Sequence, residues 1–212
     1  RVSAIIEAGG WQDKTLTEDM DWSYRAQLKG WRLRYLPDLV VPGEVPPVIT
    51  AYKQQQARWA QGGTQCFREL VIPVWRHPHL TLAQRLMATM HLSQYLVHPI
   101  IVLMILLTPP LLMAHSLQKV NLSVLGIAGL GPPLIYIFSQ QALHIDWKRR
   151  MFSSMPMLFV IGTGIAWSNS RAVMRGLLNR RDEFLRTPKF AQKVRGNHYA
   201  MRLNASTFFE LA

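Results

Sequence analysis

The spacing of hydrophobic positions separates the chain into two parts. In residues 1–65 apolar and charged side chains are mixed, whereas residues 86–118 contain no Asp, Glu, Lys or Arg. Within this uncharged stretch, residues 92–113 are rich in Leu, Ile and Val. A bilayer core of about 30 Å takes roughly 20 helical residues to cross. The pattern therefore predicts a transmembrane helix at 92–113.

A second apolar stretch predicts a partner for this helix. Residues 122–140 are uncharged and contain glycines, which let membrane helices approach closely. The connection between the two stretches has one basic residue, Lys119, whereas residues 148–150 beyond them are all basic. Cytoplasmic loops of membrane proteins are enriched in Lys and Arg. We therefore expect a transmembrane hairpin with cytoplasmic ends and with Lys119 outside.

Residues 151–170 form a third apolar stretch, interrupted by Ser, Pro, Gly and Asn. It is about long enough to cross a bilayer, but basic residues flank it at 148–150 and again at 171–181. A full crossing would place one basic cluster on the wrong side of the membrane. We interpret the stretch as a re-entrant or interfacial element, with Arg171 and Arg175 towards lipid head groups. A third full span that breaks the charge rule is the alternative.

Local signals predict shorter elements before the first apolar stretch. A helix at 18–29 starts after Thr17 and stops before Gly30, residue types that favour the two ends of a helix. Three further elements are predicted: a strand at 31–36, a helix at 50–61, and an amphipathic helix at 81–90 that follows a break at Pro73 and Pro78.

Composition agrees with this division. The 212 residues are 49% hydrophobic and 17% charged, with a formal net charge of +12. Residues 1–65 hold eight basic and seven acidic side chains, which leaves sixteen basic and five acidic in the remainder. These values exclude an ordinary soluble domain and a disordered chain, and a single cysteine, Cys66, excludes a disulfide framework. A basic excess at the edges of apolar stretches favours anionic lipid over nucleic acid.

An acidic triplet is the first candidate for chemistry. Thr17, Glu18 and Asp19 stand at the predicted start of the first helix. An N-cap followed by an acidic first turn has the same residue types, so the triplet alone is well explained as a helix start.

The second candidate lies in the predicted helix at 50–61. Gln55, Arg58 and Trp59 are spaced i, i+3 and i+4 and therefore share one helix face. An Arg can bind phosphate in a bidentate manner, a Gln can bond hydroxyls, and a Trp offers a flat apolar face to a sugar ring. These types suit a sugar-phosphate site, although in isolation a solvated helix with one packed Trp is the favoured explanation of this segment.

Together the motifs resemble the membrane-embedded polysaccharide synthases of glycosyltransferase family 2, which include cellulose and mannan synthases. The T-E-D triplet follows Gly9, Gly10 and Trp11, and the Q-x-x-R-W pattern begins 36 positions after Asp19, before the apolar stretches. A third, looser match lies beyond them, where residues 184–189 resemble the family's F-x-V-T-x-K-G gating loop in the form F-x-R-T-P-K. The resemblance covers residues 1–190.

The resemblance implies a role for each matching residue. In the family the T-E-D aspartate is the general base for the acceptor hydroxyl, which assigns that role to Asp19, with Thr17 and Glu18 beside the acceptor and Glu18 as the rival base. The Q-x-x-R-W residues line the acceptor and diphosphate site, so Trp59 would stack on the terminal sugar, Arg58 would face the diphosphate and Gln55 would position both. The implied gating residues, which would close over the nucleotide, are Phe184, Arg186, Thr187, Pro188 and Lys189.

The resemblance also implies a fold and an organisation. The chain is expected to be a mainly α membrane protein that starts within a GT-A α/β glycosyltransferase domain. The predicted parts are the end of the cytoplasmic GT-A domain in 1–65, an amphipathic interface-helix region in 66–91, a transmembrane hairpin in 92–140, a basic loop with an interfacial or re-entrant helix in 141–178, and a gating-like loop and tail in 179–212.

Donor, acceptor and cofactor follow from the same resemblance. The family implies a UDP- or GDP-sugar donor, a polysaccharide or lipid acceptor, and Mg²⁺ or Mn²⁺. The metal ligands and most of the nucleotide site are expected before residue 1, with no metal site within this chain and with the chain inactive on its own. Nucleic acid is not an expected partner, and the lipid bilayer is.

Two other functions fit parts of the sequence. A non-processive glycosyltransferase that adds one sugar to a lipid would use the same motifs. A non-catalytic membrane anchor or lipid-binding protein would explain the apolar stretches and the basic C-terminal part. It would not explain T-E-D and Q-x-x-R-W at this spacing.

The charge distribution generates a test of topology. Single cysteines placed at Lys119 and at Lys148 should be labelled by an impermeant reagent from opposite sides of the membrane, with Lys148 on the cytoplasmic side. The measurement is labelling of intact against permeabilised cells. Equal protection of both positions, or reversed sidedness, would contradict the hairpin.

Overall fold

The computed structural model describes residues 1–36, 38–43, 45–46, 48–114 and 131–178. The regular structure in these residues is helical, and they contain no strand. The helices are α1 Val2–Glu7, α2 Glu18–Leu28, α3 Ile49–Arg76, α4 Leu82–Leu92, α5 Val97–Met113, α6 Gly131–Leu143, α7 Trp147–Gly164 and α8 Ala166–Leu177, with a short 3₁₀ turn Gln94–Leu96 before α5. The prediction of a mainly α chain is confirmed.

The described residues belong to two compact units. One comprises Arg1–Pro99 and the residues from Trp167 onwards, and the other is Ile100–Ala166. In the second unit α6 packs against α7. An exposed ion pair between Asp146 and Arg150 stands at the start of α7 with 2.9 Å between Oδ1 and Nε. The hydrogen bond from Arg150 lowers the pKa of the Asp146 carboxyl.

Helix α2 has the ends that its flanking residues predict. It begins after Thr17 and ends at Leu28, and Gly30 follows with a φ of 87°. The Gly30 N–H donates to the carbonyl of Gln27 at 2.9 Å, which closes the last turn. Glycine suits this position because a Cβ is strained at positive φ.

The predicted strand at 31–36 is wrong. These residues are irregular, and they lie mostly exposed. Their alternation of apolar and basic side chains is typical of a half-buried strand, but backbone N–H and C=O groups of a strand need a neighbouring strand to bond. The described residues provide none.

Helix α3 is much longer than the predicted helix at 50–61. Its 28 residues pass through Gly62, Gly63 and Pro73, where local signals place an end and a break. A glycine inside a helix costs about 1 kcal/mol relative to alanine, and a proline removes a backbone hydrogen bond. The predicted end is wrong because residues 60–66 are all buried and pack against other elements. The predicted break at Pro73 is wrong because Leu70 and Val74, on either side of it, are both held in the buried core.

The main core lies between α2, α3 and α4. Its buried members are Tyr24, Cys66, Leu70, Val74 and Leu92. The Tyr24 hydroxyl is 2.8 Å from Nδ1 of His91, so α2 and α4 are joined by a polar contact at the edge of this core. Burial of the phenol raises the pKa of Tyr24, and the nearby Cys66 adds to that effect.

Helix α8 packs on the central part of α3. Ala60 of α3 forms a second buried cluster with Ala172 and Val173 of α8. A Cβ on Gly176 would lie 2.7 Å from the carbonyl oxygen of Gln61 and 2.9 Å from Cβ of Thr64. The backbones of the two helices therefore approach too closely for a side chain at this glycine.

Polar contacts reinforce the attachment of α8. The Arg175 Nε–H donates to Oε1 of Gln61 at 3.3 Å, and the fully buried Asn169 has its Nδ2 3.0 Å from Nε2 of His98. Buried polar groups normally need such partners.

Helix α4 confirms the predicted amphipathic helix at 81–90. Thr81 accepts a hydrogen bond from the Gln84 N–H, and the Gln84 side chain accepts one from the Thr81 N–H, which forms a capping box. Its exposed apolar side chains are Leu82, Leu86, Met87 and Met90.

One continuous helical segment among the described residues, Gln94–Met113, is long and apolar enough to cross a bilayer, and its apolar side chains are not buried. Helix α6 covers only the second half of the predicted span at 122–140, since residues 115–130 lie outside the described part. The hairpin stays a prediction. Trp147–Gly164 and Ala166–Leu177 pass the same test only as a broken pair, either a broken span or a re-entrant loop.

Replacing Gly176 by alanine should destabilise the first unit by about 1–3 kcal/mol, since overpacking forces α8 away from α3. The matched control is Gly162→Ala, because Gly162 is also helical and a Cβ there meets nothing within 4 Å. Thermal unfolding in detergent should show a lower Tm for Gly176→Ala alone. Equal Tm values would contradict the close packing of α8 on α3.

Candidate active site

One arginine of α2 holds the glycine turn that follows α1. The guanidinium of Arg25 forms an ion pair with Asp21, with 2.7 Å between Nη2 and Oδ2, and donates hydrogen bonds to the carbonyls of Ala8 and Gly10. Gly9 and Gly10 have φ values of 84° and 70°. Arg25 therefore connects the first turns of α2 to the glycine turn at the end of α1.

Thr17 does not cap α2 through its side chain. Its Oγ1 lies 3.4 Å from Sγ of Cys66 on α3, and the preceding residue, Leu16, donates its N–H to Oε1 of Gln65 at 3.0 Å. A Cβ on Gly62 would lie 2.7 Å from Cγ2 of Thr17 and 2.8 Å from both its N and Oγ1. Residues 16–19, named the T-E-D turn from here on, thus lie directly on α3.

The acidic side chains at this turn differ in exposure and partners. Glu18 and Asp19 are exposed, and Oδ1 of Asp19 accepts the N–H of Met20 at 2.8 Å. Asp21, in contrast, is buried in the ion pair with Arg25. Asp21 therefore stabilises the fold through its ion pair with Arg25, whereas Glu18 and Asp19 face solvent.

The Q-x-x-R-W residues lie in the second and third turns of α3. Gln55 and Arg58 are half-buried, and Trp59 has 38% of its surface exposed. Trp59 precedes Gly62 by three residues, which is about 4.5 Å along a helix axis. The Q-x-x-R-W motif is therefore part of α3, and the T-E-D turn is attached to the same helix at Gly62, less than two turns further along. The third motif, residues 184–189, lies outside the described residues.

Several groups around the T-E-D turn affect the pKa of the Cys66 thiol on α3. Burial raises the pKa of its thiol, hydrogen bonds with Thr17 and Thr15 lower it, and the charges of Asp21 and Asp19 raise it.

The described residues do not form a metal site. No group of three or more His, Cys, Asp or Glu side chains comes together among them. Within the acidic turn, Asp21 is bonded to a guanidinium, and the Oδ1 of Asp19 accepts a backbone N–H. The donor set near the T-E-D turn therefore does not fit Mg²⁺ or Mn²⁺.

Sequence motifs alone missed the residues that join the two motifs. Gly62, Gln65 and Cys66 carry no recognisable catalytic pattern. The Gly62-Gly63 pair inside a long run of helix-forming residues was the available signal, because a glycine in a helix interior often marks close approach of another backbone.

Comparisons with known proteins agree with these motifs. The family described as "Glycosyl transferase family group 2" matches residues 1–167. Similar curated proteins include "Probable glucomannan 4-beta-mannosyltransferase 9" of Oryza sativa subsp. japonica, 43% identical over 86 residues that make up 41% of this chain and 16% of the relative. "Glucomannan 4-beta-mannosyltransferase 9" of Arabidopsis thaliana is 45% identical over 82 residues, 39% of this chain and 15% of the relative.

A longer match extends the similarity. "Probable glucomannan 4-beta-mannosyltransferase 7" of Oryza sativa subsp. japonica is 31% identical over 185 residues, which cover 84% of this chain and 30% of the relative. The chain thus spans less than a third of the length of each of these relatives. No solved structure matches the chain significantly.

Proposed function

Because the chain belongs to glycosyl transferase family group 2, we propose that it carries the general base and the acceptor platform of a sugar transferase. The acceptor platform is the face of α3 that holds Gln55, Arg58 and Trp59. The reaction is inverting transfer from a UDP- or GDP-sugar to a growing polysaccharide at the cytoplasmic face of a membrane. One observation supports it above all: the T-E-D turn, with its exposed acidic side chains, lies on the helix that carries Gln55, Arg58 and Trp59.

Asp19 acts as the general base. The chemical step is a displacement in which the acceptor hydroxyl loses its proton to the Asp19 carboxylate while its oxygen bonds the anomeric carbon. The bond from that carbon to the diphosphate oxygen breaks, and the nucleoside diphosphate leaves with the electron pair. Asp19 suits the role because its side chain is exposed and its Oδ1 accepts the adjacent backbone N–H of Met20, whereas Asp21 is buried against Arg25.

The face of α3 beside this turn receives the acceptor. An exposed indole such as that of Trp59 can stack on the terminal sugar ring, and the neighbouring Arg58 faces the diphosphate as it gains charge. Positioned charge of this kind stabilises a leaving group most when it is already in place before reaction. Gln55, one turn earlier, orients both partners.

The relatives' names suggest which sugar to test first. All three are named as glucomannan 4-beta-mannosyltransferases, which makes mannose the first donor sugar and glucomannan the first polymer to test. A lipid acceptor and single-sugar transfer would be recognised in the same assay by a product of one added residue. The proposed membrane location is supported by the apolar segment Gln94–Met113, which is long and apolar enough to cross a bilayer.

Asp19→Asn in the full-length protein should lower transfer at least about 100-fold, because the amide cannot accept the proton, while nucleotide binding stays near the wild-type value. The measurement is radiolabelled sugar incorporation in membranes, with binding of the nucleoside diphosphate measured separately. Asp13→Asn is the matched control, an exposed carboxylate outside α2. Near-native turnover by Asp19→Asn would contradict the assignment and move the role to Glu18.

Trp59→Ala should chiefly impair acceptor use, because the sugar loses its stacking surface. We expect the KM for an added oligosaccharide acceptor to rise while donor KM stays within about twofold. Trp75→Ala is the control, since Trp75 lies near the other end of α3 with a similar exposed fraction of 41%. An unchanged acceptor KM in Trp59→Ala would remove the acceptor platform from this face.

A further inference from the structure

Gln65 and Gly62 hold the T-E-D turn against α3, and we propose that they are positioning residues that set the distance between the base and the acceptor platform. Neither residue belongs to either motif. The proposal rests on the function proposed above, since it concerns the same site. It is carried by a long-range hydrogen bond and by a backbone close approach, both within the first compact unit.

The hydrogen bond fixes the residue next to the triplet. Gln65 is only 3% exposed, and its Oε1 accepts the N–H of Leu16 across 49 positions of sequence. The amide oxygen thereby satisfies a backbone donor that lies before the helix and has no carbonyl of α2 to bond. Removing that acceptor leaves the donor of a half-buried residue without its partner, a change that costs more than the bond itself contributes.

Gly62 fixes the depth at which the turn lies. A Cβ at this position would be 2.7–2.8 Å from three atoms of Thr17, and one of them is the backbone nitrogen. A side chain could rotate away, but a backbone atom moves only with its segment. Any residue larger than glycine therefore pushes the start of α2 outwards from α3.

Such a shift acts on chemistry rather than on donor binding. Asp19 follows Thr17 by two residues, and Gln55, Arg58 and Trp59 are carried by the same α3 that contains Gly62 and Gln65. Moving the turn changes the separation of base and acceptor while the acceptor platform stays in place. A misplacement of about 1 Å can lower a rate by about 100-fold.

The test compares Gly62→Ala with Gly162→Ala in the full-length protein in membranes. Both glycines are helical, but a Cβ on Gly162 meets nothing within 4 Å. Gly62→Ala should lower kcat by about 10- to 100-fold with donor KM within about twofold of wild type, and Gly162→Ala should leave both near wild type. A parallel change of kcat and donor KM, or an unchanged kcat, would overturn the positioning role.

A second readout does not depend on activity. Cys66 is fully buried beside Thr17. Lifting the turn in Gly62→Ala should speed its alkylation by iodoacetamide, measured by mass spectrometry of the peptide, whereas Gly162→Ala should react at the wild-type rate. Equal alkylation rates would show that the turn has not moved and would overturn the proposal.

Gln65→Met gives an independent variant if Gly62→Ala fails to fold. It keeps the side-chain length but removes the acceptor for Leu16, and it should lower kcat by about 3- to 10-fold at unchanged donor KM. Retention of wild-type kcat would overturn the role of Gln65. Wild-type protein that transfers no sugar from any UDP- or GDP-sugar would overturn the proposed function instead, and the alkylation comparison would still report whether Gly62 sets the position of the turn.

Discussion

The absence of side chains at a few glycines is the constraint on which the rest of the first unit depends. Thr17 lies against Gly62, Tyr95 lies against Gly63, and Gly176 of α8 lies against the carbonyl of Gln61. In each case a Cβ would come within 2.9 Å of a neighbouring atom. Protein interiors are packed too densely to absorb such an overlap without movement, and at Gly62 and Gly176 the overlapped atoms include backbone, so a segment has to move. The middle of α3 is therefore the place where three other parts of the chain are held.

This constraint explains why α3 continues where local signals predict its end. The Gly62-Gly63 pair costs helix stability locally, but it allows the close contacts of α3 with Thr17 and with Tyr95. Burial of apolar surface is worth about 25 cal/mol per Å², so a few close helix contacts exceed the local cost. The same helix can then carry the half-buried Gln55 and Arg58 near its start and the buried core residues Cys66, Leu70 and Val74 further along.

The elements predicted correctly are those whose signals are local. The start and end of α2 follow from Thr17 and Gly30, and the start of α4 follows from its capping box at Thr81. Both motifs of the candidate site were also visible, since each is a short run of residues. Two features were missed. The length of α3 depends on partners that are distant in sequence, and the segment at 31–36 is irregular because the described residues provide no neighbouring strand. A local sequence pattern contains no information about either.

The T-E-D triplet shows how a structural and a functional interpretation can hold at once. An N-cap threonine usually contributes about 1 kcal/mol by accepting a hydrogen bond from the first turn, yet the hydroxyl of Thr17 is directed to Cys66 instead. The acidic residues of the first turn still stabilise α2 through the helix dipole. Because Thr17 bonds α3 rather than its own helix, the start of α2 is attached to the helix that carries Gln55, Arg58 and Trp59, while the side chain of Asp19 remains exposed.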